Sequence, residues 1–135
     1  MPPTTSEDWL DIANERAADA EAMTRTRGES TGCVYMAGYA IECSLKALLR
    51  RKNEPFPTSG RSGHNLRELW EASFKLRDLY DPTGAKSFFI ESWNTSLRYE
   101  LTCCSKLKVG ELVDGAKSLS GWIQTQIRRR SGRRR

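Results

Sequence analysis

The chain holds one histidine, His64, which follows a glycine where a helix should begin. Backbone N–H groups at a helix start favour an anion, so His64 with Arg61 and Arg67 could hold a phosphate. The competing reading is a cap or a hydrogen bond to the body of the fold. Glu42 lies among apolar residues with Lys46 four residues on, the favourable order for an ion pair along a helix. A carboxylate in such surroundings needs a partner, and Lys46, Arg98 or a tyrosine can supply one; structural pairing is its stronger reading. Arg98 is a fixed, bidentate donor, suited either to phosphate or to a structural carboxylate or helix C-terminus. Tyr99 stands beside it and joins the same candidate site. Tyr35 and Tyr39 share a helical face and read as core or dimer contacts rather than a base-stacking platform.

A second kind of chemistry is concentrated at the end of the sequence. The last eight residues hold Arg128, Arg129, Arg130, Arg133, Arg134 and Arg135. Removing those six charges from the net +5 leaves −1, so the basic balance belongs to the tail. Such a segment attracts RNA or DNA by counterion release, or an acidic protein, or serves as an unstructured solubilising end. Of the four cysteines, Cys33 and Cys43 fall on an apolar helix and read as small hydrophobes, while the vicinal Cys103 and Cys104 suit neither an ordinary disulfide nor a zinc knuckle. With one histidine and no Cys-x2-Cys, neither a metal nor another cofactor is expected.

These residues need a scaffold, and Gly32 to Lys52 is its axis. Cys33, Val34, Met36, Ala37, Ala40, Ile41, Leu45, Leu48 and Leu49 recur in steps of three and four, so this helix should be nearly surrounded. Gly38 costs about 1 kcal/mol of helix propensity, and the expected compensation is close approach of another helix. A first helix should run to about Thr26, capped by Ser6 or by Thr5 with Asp8. Its inner face is Trp9, Ile12, Ala13, Ala17, Ala20 and Met23. The short turn Arg27–Ser30 makes the first two helices antiparallel. Residues 53–63 form a loop. A third helix begins near Asn65, with Glu68 at capping-box spacing and Leu66, Leu69, Trp70, Phe74, Leu76 and Leu79 on its apolar side. Asp81–Gly84 is a turn, Ala85–Ser92 a short fourth helix, and 93–106 partly irregular. The last helix spans about Lys108 to Arg129. The prediction is an all-α, up-and-down bundle of four main helices with a short extra one.

The 135 residues, 38 % hydrophobic and 29 % charged, suit one domain. The expected division is a disordered 1–5, a helical domain 6–127 and an arginine-rich tail 128–135. No run approaches the roughly 18 apolar residues of a membrane span. The opening MPPTTSEDW lacks the basic start and apolar core of a signal peptide; the expected location is cytoplasmic.

Three segments carry a family resemblance. Ala37–Leu49, AGYAIECSLKALL, resembles the central helix of one branch of the HEPN domains. Gly63-His64-Asn65-Leu66 is similar to that branch's GH-D/N-L, and Trp93–Tyr99, WNTSLRY, to its Trp-x4-Arg-Tyr segment. The resemblance extends from about Trp9 to Ile127. It implies a helical homodimer associated with RNA or nucleotides in a toxin–antitoxin, defence or stress system, often beside a small nucleotidyltransferase partner. Catalytic relatives use Arg, four to six residues, then His across a dimer groove, without a metal. Counted from Arg98, that histidine would fall at Cys103, Cys104 or Ser105. None of the three serves as a general acid or base near neutral pH without a strongly shifted pKa. A binding module without standard ribonuclease catalysis is therefore expected. The alternatives are a non-standard ribonuclease in which Arg98, Glu42 and His64 converge, and a purely structural subunit.

Overall fold

The computed structural model describes residues 3–54, 56, 64–74, 80–100 and 106–133, the side chains of Arg98 and residues 130–133 excepted. Among the described residues there are five α-helices, one 3-10 helix and no strand: α1 Ser6–Thr26, α2 Thr31–Arg51, α3 Leu66–Ser73, α4 Ala85–Ser92, the 3-10 helix Thr95–Tyr99, and α5 Val109–Arg133. The all-α bundle is as the periodicity required. α2 is its axis, packing against α1, α5, α3 and the 3-10 helix. Cys33, Val34, Ile41, Leu45, Leu48 and Leu49 are buried along its length.

Local signals explain where the long helices begin and stop. Thr5, not Ser6, caps α1: its hydroxyl accepts from the Asp8 N–H, while the Asp8 carboxylate accepts from the Thr5 N–H. Ser6 is released to donate to the Ala47 carbonyl at 2.8 Å, tying the start of α1 to the far end of α2. Arg51 meets Glu7 at the same end, at 2.9 Å, as antiparallel packing demands. α2 ends when Asn53 enters the left-handed region at φ 58°. The Asn53 N–H then reaches the Arg50 carbonyl and the Glu54 N–H the Leu49 carbonyl, so two orphan carbonyls are satisfied.

Several expectations need correction. The third helix stops at Ser73. Phe74 turns extended, and its ring packs 4.6 Å from Trp70 and 4.8 Å from Trp122, so aromatic packing overrides helical spacing there. Leu76 and Leu79 lie outside the described residues. α3 is thus eight residues long. The close neighbour of Gly38 is not a helix but the indole of Trp93; a Cβ at Gly38 would overlap that ring. Finally, α5 continues to Arg133. Arginine is a good helix former, and buried Ile127 docks the helix just before the arginines, so Arg128–Arg133 extend it instead of forming an unstructured end.

The turn before α4 supplies that helix's cap. Gly84 takes φ 86°, and the Asp81 carboxylate accepts from the N–H groups of Lys86 at 3.1 Å and Ser87 at 2.8 Å. Burial alone would raise the Asp81 pKa, but hydrogen bonds from Ser87, Lys86 and Gly84 outweigh it and hold the carboxyl below its usual range.

Candidate functional site

Helical spacing on α2 puts Tyr35, Tyr39, Glu42 and Lys46 along one side of the axis. Glu42 and Lys46 are each only 1 % exposed, and Lys46 Nζ lies 3.1 Å from Glu42 Oε2. The other carboxylate oxygen, Oε1, lies 3.0 Å from His64 Nδ1. The Lys46 ammonium also sits 4.8 Å from the centre of the Trp9 ring, a cation–π contact that further compensates its burial. A desolvated charge pair is thus closed off by one imidazole, itself 33 % exposed. Of the partners expected for Glu42, Lys46 is the one observed, and His64 is a second that the sequence did not suggest.

Aromatic rings extend this cluster. Trp93 stacks on Tyr35 at 5.9 Å, Tyr35 meets Tyr39 edge-on at 6.0 Å, and Tyr39 faces His64 at 6.5 Å. Both tyrosines are half-buried. Burial, then the Glu42 carboxylate, push the Tyr39 hydroxyl pKa up. The Cys43 thiol is pushed up to about 12, by burial first and by Glu42 second. Its thiolate is therefore negligible at pH 8, and native protein should leave Cys43 unalkylated by iodoacetamide after hours. Mass spectrometry showing rapid labelling of Cys43 would contradict this packing.

His64 borders two spaces. On one side is a small cavity of about 150 Å³, lined by Trp9, Tyr39, Glu42, Cys43 and Lys46. On the other is an open groove of about 670 Å³ whose walls include Arg67, Glu91, Asn94, Thr95 and Ser96. Asn94 caps the 3-10 helix by accepting from the Ser96 N–H at 2.9 Å. That short helix follows Trp93, whose indole is seated against Gly38 of α2, so the groove wall is anchored to the axis.

The predicted residues fall into four groups. Glu42 and His64 come together; Arg67 lines the same groove but pairs with Glu71 on the surface at 3.3 Å. Arg98 lies on the 3-10 helix, whose Thr95 and Ser96 line the groove, and Tyr99 is exposed. Arg128 and Arg129 are exposed on α5, on which Arg130 and Arg133 also lie. Arg61, Cys103, Cys104, Arg134 and Arg135 lie outside the described residues. Sequence reasoning missed Trp9 under Lys46, and Glu91 and Asn94–Ser96 in the groove. The Asn-Thr-Ser run was the available signal, since such residues favour caps and turns. Among the described residues no group of His, Cys, Asp and Glu could hold a metal ion, and no helix is long and apolar enough to cross a membrane.

A central helix surrounded by its neighbours is the arrangement implied by the resembling segments. The family model for the HEPN domain matches residues 6–126, and the chain belongs to that family. Membership places it among RNA-related or nuclease-like modules. Neither the curated proteins nor the solved structures contain a match to this chain.

Proposed function

We propose that this HEPN domain is a dimeric module that binds RNA or nucleotides in the groove beside His64, without the Arg–His ribonuclease chemistry of its catalytic relatives. The observation that carries the reading is the placement of the chain's one imidazole. It is tied to buried Glu42 and borders a polar groove, while the positions where the family's histidine would fall hold Cys103, Cys104 and Ser105. Arg67 borders the groove, and Arg98 lies on the helix that forms one wall. The arginines at the end of α5 add affinity that is insensitive to sequence. Family resemblance supports a cytoplasmic setting in a toxin–antitoxin, defence or stress system, with a small nucleotidyltransferase as a candidate partner.

Fluorescence anisotropy with labelled single-stranded RNA over a salt series tests this. Replacing the six terminal arginines by glutamine should lower the salt slope by up to about 4, at roughly 0.7 per phosphate contact. A salt-dependent remainder should persist and should weaken in Arg67→Ala. Complete loss of binding on removing the arginines would leave only the tail as the binding element. Light scattering of the full chain should give twice the monomer mass.

The Glu42–His64 contact specifically favours a second reading, a non-standard ribonuclease with Arg98 as the phosphate donor. Labelled RNA incubated with EDTA separates the two. Under the binding reading it stays intact; cleavage lost in both His64→Ala and Arg98→Ala would establish the enzyme instead.

A further inference from the structure

A second hollow lies across α2 from His64. At about 100° per residue, Ala37 and Ala40 fall on the side of the axis opposite Tyr35, Tyr39, Glu42 and Lys46. There Ala17 and Ala20 of α1, Ala37 and Ala40 of α2, and Val113 and Ala116 of α5 surround a space of about 180 Å³ that opens to solvent beside Asn14 and Ala18. Side chains this short leave the three helices unable to fill the gap between them, whereas protein interiors hold few voids larger than a water molecule. Two polar bridges join α1 to α5 around it. Glu21 Oε1 meets Lys117 Nζ at 2.6 Å, and Asn14 Oδ1 accepts from Gln124 Nε2 at 3.1 Å. The bridges stand two turns apart on each helix, about 10 Å. Between them on α5, one turn from each, is Ser120, which lines the hollow and is 5 % exposed. A serine within a helix can turn its hydroxyl back to the carbonyl four residues before it. The Ser120 hydroxyl makes no hydrogen bond to any described residue, so a buried donor and acceptor stands ready for another partner.

The wall sets the chemistry of an occupant. Its alanines and valine require an apolar body. An apolar cavity of about 150 Å³ takes up benzene, so this one has room for a six-membered ring and one substituent. The Ser120 hydroxyl asks for a single hydrogen-bonding group on that ring. The two charges at the rim are paired with each other and leave nothing to hold an ion. We infer that the hollow between α1, α2 and α5 binds a small uncharged ring compound with one hydroxyl or carbonyl, of the size of phenol, with that group on Ser120 Oγ and the ring against the alanines. It shares no lining residue with the groove beside His64, so the site stands apart from the function proposed above.

Titrating phenol into the full chain, followed by amide NMR, should shift the signals of Ala17, Ala37, Ala40 and Ala116, and toluene should shift the same set. Two variants then separate the ring from its polar group. Ser120→Ala should bind phenol about threefold to tenfold more weakly, the worth of one net hydrogen bond, with its affinity for toluene unchanged. Ala17→Leu extends a half-buried side chain into the hollow. It should abolish binding of both compounds and melt at or above the temperature of the parent, as filling a void does. Phenol leaving those four amides unmoved would overturn the assignment. So would Ser120→Ala binding phenol as the parent does or losing both compounds alike, and so would Ala17→Leu still binding or melting several degrees lower. Occupancy by a second copy of the chain would overturn it as well: phenol would then have no effect, and Ala17→Leu would halve the mass seen by light scattering.

Discussion

Replacing Glu42 with alanine is expected to destabilise the domain by about 3–5 kcal/mol, the usual consequence of removing one member of a buried pair. The reason is Lys46. Its ammonium is 1 % exposed, and after the substitution its remaining compensation is the face of Trp9. An uncompensated ammonium in such a place must either draw in water or lose its proton, and both cost folding free energy. His64 would also lose the acceptor that orients it. The double substitution Glu42→Leu with Lys46→Met removes both charges while keeping the volume, and should recover most of the loss, because a buried pair is often replaceable by apolar residues at little net cost. Urea denaturation of the three proteins at pH 7 checks both statements. A loss below about 1 kcal/mol for Glu42→Ala, typical of surface pairs, would mean that the pair is not desolvated.

The second large effect is expected at Trp93. This indole is 4 % exposed, stacked on Tyr35 and seated where α2 has no side chain at Gly38. Trp93→Ala should cost about 3–5 kcal/mol, the range for removing a large aromatic from a core. The reciprocal substitution, Gly38→Ala, introduces a Cβ into the space the ring occupies. Overpacking of this kind costs about 1–3 kcal/mol, from which about 1 kcal/mol of helix propensity is recovered. Combining the two substitutions should cost less than their sum, since the overlap disappears with the ring. Function should follow the same order. Trp93 is directly followed by Asn94, Thr95 and Ser96, so displacing the ring moves one wall of the groove. A thermal melt with an RNA-binding measurement on each variant tests this. Trp93→Ala with parental stability would show that the contact at Gly38 is incidental.

Both effects show how far local reasoning reaches. The i,i+4 spacing of Glu42 and Lys46, and the apolar residues around them, were enough to say that the carboxylate needs a partner. They could not say that His64, 22 residues away in the chain, is the second one. Gly38 likewise announced a close approach, but the nature of the neighbour depends on how α4 and the 3-10 helix fold back onto α2. At α3 the apolar spacing suggested a longer helix. Phe74 leaves it because its ring has better partners in Trp70 and in Trp122 from α5, a gain invisible to a count along one segment. The arginine run reads as a solvated tail by composition, yet it inherits helical structure from the docked turn before it.

By itself, then, the sequence determined the helical character of the chain, its central axis, its cap at Asn65, and its family, since these depend on periodicity and nearest neighbours along the chain. The tertiary structure decided which groups share a site. Glu42, Lys46, His64 and Trp9 meet, and Trp93 anchors the groove wall, only because α2 is enclosed on several sides. Burial makes each charge there seek a partner regardless of distance in sequence.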